Sequence, residues 1–303
     1  MKKAFFLLAF IFLIGSAFFL NPAAFMADIV ATLEVWLFKV YPSIFTFYIL
    51  AALLINTKLI NAIIHLFRAL FKHLRFKSEN SLRLFITSIF VGNPASASLI
   101  CEALKREEMG KDEAEDLLKC SAFLNPFFIV SFLTSLHIKY ALLIIFVHVF
   151  SNLAIALAVN RKNPPTIIKH SGITFSFSEI MTSVQNVIRL LLLISGIMVF
   201  ANILRYSLLS FLNLLSLDHR ALHLLIANME ISLALHTLVN SGLPLFLTLL
   251  LFSVSSSFAG VSIHLQVYSV IREEKLSYKI FLIHRLLQAL LSGFLFLMLW
   301  PLT

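Results

Sequence analysis

Val91-Gly92-Asn93-Pro94-Ala95-Ser96-Ala97-Ser98 decides how the chain is read, because a helix breaker and a cluster of small polar residues cut a strongly apolar segment in two. Lipid offers no partner for loose N–H and C=O groups. Non-helical backbone at membrane depth therefore survives only where protein buries it or where it lines a polar cavity. The apolar segment, Leu84 to Leu104, is left with two arms of roughly ten residues, each too short to cross a bilayer at 1.5 Å per residue. It is predicted to enter and leave the membrane on one side. A second break, Asn125-Pro126, follows in the next apolar segment. The C-terminal half repeats the plan with Asn228-Met229-Glu230 and then Ser255-Ser256-Ser257-Phe258-Ala259-Gly260, at offsets of about 136 and 135 residues. Interrupted segments paired between two halves point to a transporter built from inverted repeats, with its site at the midplane. The predicted fold class is an all-α polytopic membrane protein, an inverted repeat with two re-entrant hairpins and two broken transmembrane helices.

Composition agrees. Apolar residues make up 60% of the chain and charged residues 13%, outside the range of soluble domains. The net charge of +9 does not call for nucleic acid, because Lys and Arg gather in loops at helix ends, as the positive-inside rule requires. No Gly/Ser-rich or Pro-rich linker divides the sequence. Residues 1–303 therefore read as one membrane transport domain. Within it lie N-terminal helices and a basic interfacial segment (1–80), a first repeat core (81–160), a basic loop and interfacial segment (161–186) and a second repeat (187–303). Cys101 and Cys120 lack Cys-x-x-Cys or Cys/His spacing, so free thiols are expected and neither a disulfide framework nor a metal site.

In chain order, Lys2 and Lys3 precede an apolar run from Ala4 to Leu20, taken as an uncleaved first helix rather than a signal peptide. Asp28 and Glu34 fall in a short outward segment before a span from Val35 to Ile55. Lys58, Arg68, Lys72, Arg75, Lys77 and Arg83, set among Ile60, Ile63, Leu66, Phe67, Leu70 and Phe71, form a basic amphipathic stretch suited to the cytoplasmic interface. Glu113 to Lys119 is expected on the membrane surface, Cys120 to Leu136 crosses outward, and Tyr140 to Val159 crosses back to Arg161, Lys162, Lys169 and His170. Gly172 to Asn186 is placed at the interface, before a span from Val187 to Leu204. Ala221 to Val239 is the second hairpin and Leu243 to Val270 the second broken span. An inside loop with Arg272, Lys275 and Lys279 then leads to a last helix, Ile280 to Trp300. Trp36 and Trp300 suit the headgroup region.

Glu230 is the one carboxylate in the middle of an apolar segment. Its burial demands neutralisation, a cation, or hydrogen bonds from open backbone N–H groups. A structural pair with Arg189 or Arg205 is the alternative to a functional role. Asn93, Ser96, Ser98, Asn125 and Asn228 are uncharged donor/acceptor groups at the breaks, either ligands or caps for the broken helices. Pro94 and Pro126 stop helices, and half-helix N-termini beside them would suit an anionic group such as a carboxylate. His148, His223, His236 and His264 are expected as packed neutral histidines without metalloenzyme spacing. No Walker, Gly-x-Ser-x-Gly, His-Glu-x-x-His or GxGxxG motif is present, so no catalytic residue, metal or cofactor is expected.

The run Gly92-Asn93-Pro94-Ala95-Ser96-Ala97, the loop ending Glu113-Ala114-Glu115-Asp116-Leu117-Leu118, and Cys120 with Asn125-Pro126-Phe127-Phe128-Ile129 together resemble the sporulation integral membrane proteins of the YlbJ type. These carry nucleoside-recognition gate domains and are related in arrangement to concentrative nucleoside transporters. Glu230-Ile231-Ser232 and Ala259-Gly260-Val261-Ser262-Ile263-His264-Leu265-Gln266 look like the family's C-terminal elements. By this resemblance Gly92, Ser232, Gly260, Ser262 and Gln266 join the candidate substrate-binding residues. Asn93 stands for the family Tyr, Ser96 for a Gly, Phe123-Leu124-Asn125 for Asn-Ser-Gly, and Ala259 for the first Gly of a pair. Each lost glycine removes backbone freedom at a break. The resemblance implies export of dipicolinate, a small aromatic dicarboxylate, across the outer forespore membrane of a bacterial cell. A nucleoside-like solute, or a non-transporting scaffold docking through the charged Glu102 to Lys119 loop, are the alternatives. The expected partners are a small anion, the lipid bilayer and a coupling proton or cation. Association into a homo-oligomer is left open.

Overall fold

In the computed structural model, residues 2–57, 59–66, 72–133, 136–164, 176–216 and 220–302 are described. They form helices and connecting turns, with no strand among them. Helix α1 spans Lys2–Leu20, α2 Pro22–Asn56, α3 Ile60–Leu66, α4 Glu79–Val91, α5 Ala95–Lys105, α6 Lys111–Cys120 and α7 Pro126–Leu133. Then follow α8 at Ile138–Asn160, α9 at Phe177–Leu214, α10 at Arg220–Ala227, α11 at Ile231–Val239, α12 at Leu245–Phe258, α13 at Gly260–Ile271 and α14 at Tyr278–Leu299. Five stretches are long and apolar enough to cross a membrane: Pro22–Asn56, Ile138–Asn160, Phe177–Leu214, Leu245–Ile271 and Tyr278–Leu302. The chain is thus a multi-pass, all-α membrane protein. Large exposed side chains such as Phe12, Phe19, Leu290 and Phe294 are what a lipid-facing surface requires.

Several sequence expectations change. Asp28 and Glu34 are not in an outward loop but in the first turns of the 35-residue helix α2. Asp28 is tied to α9 there: Arg205 Nη2 lies 2.6 Å from its carboxylate, and Asn202 Nδ2 donates to it at 2.7 Å. Trp36 is half-buried and tied to α9, its Nε1 donating to Leu191 O at 3.2 Å. Residues 177–186 are continuous with the span that follows, forming the first turns of the 38-residue helix α9. Cys120 closes α6, and the stretch Ser121 to Asn125 is non-helical before α7 starts at Pro126. Arg83 lies within α4, bonded to Glu79, Asn80 and Asn61, rather than in the interfacial stretch. Lys58, Phe67, Arg68, Leu70, Phe71, Lys169, His170 and Gly172 lie outside the described residues, as does the side chain of Lys72. Both cysteines are free and buried.

The basic loops meet at one end of the bundle. Lys105 pairs with Glu273 and Glu274, Lys77 with Asp116, and Arg75 Nη1 donates to Arg161 O. Asp116 is also held by Lys119 at 2.5 Å. Partial burial pushes its carboxyl up, but the two ammonium groups outweigh that and hold it below the usual carboxylate range. The opposite end carries Trp300 stacked against Tyr140 and Phe296, the belt expected of an interfacial aromatic.

The breaks fall where the sequence places them, with one difference in extent. Ser255, Ser256 and Ser257 remain helical within α12, and the chain turns at Ala259 and Gly260, with φ +79° and +64°. That left-handed conformation crowds a Cβ against the following carbonyl, at a cost of roughly 1–2 kcal/mol for a non-glycine residue. Ala259→Gly is therefore expected to raise the unfolding free energy by about 0.5–1 kcal/mol, part of the relief being offset by the freer unfolded chain. Thermal unfolding in detergent checks this, and an unchanged or lowered midpoint would contradict it.

Candidate functional site

Each half ties its tip to the interruption that follows, with donor and acceptor exchanged between the halves. In the first, Asn93 N–H at the tip between α4 and α5 donates to Phe123 O at 2.7 Å, and Asn125 Nδ2 donates back to Phe90 O at 2.7 Å. Asn125 Oδ1 caps α7 by accepting from Phe127 N at 2.8 Å. In the second half, Val261 N and Ser262 N at the start of α13 donate to Asn228 O and Met229 O, both at 2.9 Å. A tip between two short helices is thus hydrogen-bonded across to the next interruption, which satisfies backbone groups that lipid would leave bare. One glycine permits each approach. Gly92, at φ +72°, brings its α-carbon so close to Asn125 N that a Cβ would lie 2.7 Å away. Gly260, at φ +64°, would place one 2.9 Å from Asn228 O.

Between the two tips lies a cavity of about 40 Å³, counted as space open to the centre of a water molecule. Its polar lining comes from both halves: Asn93 and Asn125 from the first, Glu230, Ser232 and Gln266 from the second. Helix α2 closes one side with Val40, Ser43 and Ile44, and α9 adds Ile194 and Met198. No Lys, Arg or His lines it among the described residues. In this closed arrangement the space suits a water or a small ion, so a larger solute requires the walls to part.

Glu230 is 1% exposed and has no cationic partner among the described residues. It is the N-cap of α11: Leu233 N donates to Oε2 at 2.9 Å, and Ser232 Oγ donates to Oε1 at 3.2 Å. Ser262 Oγ stands at 3.5 Å. The carboxylate is thus held by hydrogen bonds at a helix N-terminus, where the dipole favours negative charge. The alternative of a pair with Arg189 or Arg205 is not what the structure holds, because Arg205 is committed to Asp28 and Arg189 lines a different recess.

The other expected residues divide. Ser96 Oγ donates to Asn93 Oδ1 at 2.6 Å and so orients that amide from behind. Ser262, with its hydroxyl near both Glu230 and Ile231 N, does the same for the second tip. Gly92 and Gly260 serve as close-approach positions. Ser98 does not reach the cavity: it faces the recess that Arg189 lines. Asn228 turns away too, its Nδ2 bonded to Leu224 O at 3.0 Å on the side of an apolar groove, and only its backbone serves the tip.

Three features escape sequence reasoning. Ser43 Oγ is buried and has no hydrogen-bond partner among the described residues, although it lines the cavity. Just before it, α2 widens into a π-helical turn over Trp36–Val40, a distortion frequent at functional sites. Pro42-Ser43 in an apolar run was the available signal. The third feature is a buried polar cluster behind the non-helical stretch 121–125. Arg285, 1% exposed, donates from Nη1 to Ala122 O at 2.7 Å and to Gln288, and from Nη2 to Lys119 O at 3.1 Å and Asn152 Oδ1 at 3.2 Å. None of these partners is a carboxylate. His148 Nε2 accepts from Leu124 N at 2.8 Å, leaving Nδ1 to carry the ring proton toward Ser257 Oγ at 3.0 Å. His148 is the packed histidine that was expected, and it also holds the backbone next to Asn125. His264 bonds Phe258 O and Tyr278 and does not line the cavity.

Among the described residues no three His, Cys, Asp or Glu side chains gather as a metal ion would require. No protein-family model, curated protein or solved structure matches the chain. Fold and spans define the class: a multi-pass membrane protein, all-α among the described residues, with a small, largely apolar cavity that carries a few polar side chains from both interrupted helical units.

Proposed function

We propose that the chain is a membrane transporter for a small solute, built as an inverted repeat with two re-entrant hairpins, α4–α5 and α10–α11, and two interrupted segments. The single observation that carries this reading is that Asn93 and Asn125 of one half and Glu230, Ser232 and Gln266 of the other line one buried cavity. The matched cross-bonding of each tip to the following break supports the repeat, and the gathering of basic loops at one end supports a cytoplasmic placement of that end. Binding at such a junction lets two rigid units rock about a fixed site. Gly92, Asn93, Asn125, Glu230, Ser232 and Gln266 form the proposed substrate site, with Ser96, Gly260 and Ser262 positioning it.

For the solute we keep the anion that the family resemblance implies, dipicolinate moved across the outer forespore membrane. An ionised Glu230 would repel it, since like charges a few ångströms apart in a poorly screened site cost several kcal/mol. Glu230 then takes up a proton as the anion binds, which makes movement proton-linked. Proteoliposomes holding only this protein test the idea. Glu230→Gln is expected to keep dipicolinate binding but lose the pH dependence of transport, and Glu230→Ala to lose both. Unchanged pH dependence in the Gln variant would exclude the proton role, and equal loss of assembly in both would mark Glu230 as a structural cap. The lack of any cationic side chain in the lining favours a second reading, a neutral polar solute such as a nucleoside. Transport of uridine without dipicolinate would select it.

A further inference from the structure

A second polar space lies between α5, α9 and α13, open toward the basic end and about 360 Å³ on the same measure. That is within the range of small-molecule clefts, roughly 300–1,000 Å³. Helices α9 and α13, and the tip residues Asn93 and Pro94 that lead into α5, also wall the central cavity. On α13, Gln266 lines the cavity while Ser269 and Val270, three and four residues on, line the recess. At the start of α5 the corresponding pair is its N-cap Pro94 and Ser98, and on α9 Ile194 and Leu190. Residues three or four apart share a helix face, and at 1.5 Å per residue they are separated by about 5–6 Å. The two spaces are therefore successive levels of one seam. Ala97 and Val267, both buried, line neither space and stand between the two sets of lining residues on α5 and α13.

The charges in the recess are arranged unequally. Lys105 Nζ is 3.4 Å from both Glu273 and Glu274, joining α5 to the loop after α13 across the mouth. Lys105 and Glu273 are largely exposed and Glu274 half-buried, and pairs at such a surface contribute little to stability, so the bridge opens at small cost. Glu102 accepts a hydrogen bond from the buried Tyr48 hydroxyl of α2. Arg189 of α9 is exposed and lines the recess and, alone among the charged residues lining it, has no hydrogen bond or ion pair among the described residues. Its planar fork is the group best shaped to hold a carboxylate by two parallel bonds.

We propose that this recess is the access vestibule of the central cavity from the basic end and that Arg189 is its carboxylate-binding group. Onward passage of the solute rests on the transporter reading; the vestibule and its anion preference do not. The test therefore uses chemistry at the recess itself. In the full chain with Cys101 and Cys120 changed to serine, Ser269→Cys is treated in sealed vesicles with impermeant thiosulfonates, one carrying a sulfonate and one a quaternary ammonium. Rates are normalised to those of a small free thiol. Labelling is expected from the basic-loop side only, with the sulfonate favoured by about tenfold, as a unit charge some 6 Å away in water implies. Arg189→Gln should abolish that preference, Arg189→Lys should keep it, and saturating dipicolinate should slow the reaction. Labelling from the opposite side, or a preference untouched by Arg189→Gln, overturns the proposal. If the preference behaves as expected but no solute crosses, the vestibule stands and the transporter reading fails.

Discussion

Arg285→Met is expected to lower the unfolding free energy by about 3–5 kcal/mol, because hydrogen bonds to a charged group contribute roughly 1.5–3 kcal/mol each and buried carbonyls left bare cost roughly 1–3. Arg285 reaches Lys119 O, Ala122 O, Asn152 and Gln288 at once. Ala122 O would keep one donor, Asn152 Nδ2 at 3.0 Å, whereas no other contact of Lys119 O replaces the guanidinium. Some of the loss is offset because methionine removes a buried charge that has no anion beside it. Arg285→Lys separates charge from geometry. Its single ammonium cannot fork between both carbonyls, so it should recover only part of the stability. The cluster also holds the stretch 121–125 through His148 and Leu124 N, and Asn125 with it. Both variants should therefore weaken solute binding as well as shift thermal unfolding in detergent. A methionine variant as stable as the parent would show that the guanidinium is not the clamp.

Gly92→Ala should be of similar size. The left-handed conformation at φ +72° costs an alanine roughly 1–2 kcal/mol. In addition its Cβ would lie 2.7 Å from Asn125 N, a backbone atom that cannot swing aside like a side-chain tip. The tip must withdraw, breaking the bond from Asn93 N to Phe123 O and the cavity lining with it. A loss of about 3 kcal/mol or more follows from strain and broken bonds together. Gly260→Ala meets Asn228 O at 2.9 Å and Ile231 Cβ at 3.1 Å at φ +64°, and should behave alike. Gly110→Ala is the control, since nothing lies within 4 Å of its added Cβ and its φ is ordinary. Unfolding midpoints and solute binding of the three variants check the ordering, and equal behaviour of Gly92→Ala and Gly110→Ala would refute the close-approach argument.

The breaks were legible because they are local: proline, glycine and small polar residues interrupt helices wherever they stand, and an apolar run too short to span is short by count. Gly92-Asn93-Pro94, Asn125-Pro126, Asn228-Met229-Glu230 and Ala259-Gly260 all fall at junctions between helices, with Pro126 and Gly260 opening the helix that follows. Run length likewise predicted α8 and α14 closely. Errors arose where a charge was taken as a loop signal. Asp28, Glu34 and the polar residues of 177–186 lie in helices, and a partner 177 residues away, Arg205, is what makes Asp28 tolerable.

By itself the sequence determined the class, a multi-pass helical membrane protein, and the places where its helices stop, since apolar length and backbone-breaking residues act within a few positions. Only the tertiary structure decided which polar groups meet. It set Ser43 beside Glu230, turned Ser98 and Asn228 away from the cavity, and gave Arg285 to Lys119 O and Ala122 O. Those pairings join residues that are distant in the chain, and the direction each side chain takes is set by the packing of other helices around it, which no local pattern encodes.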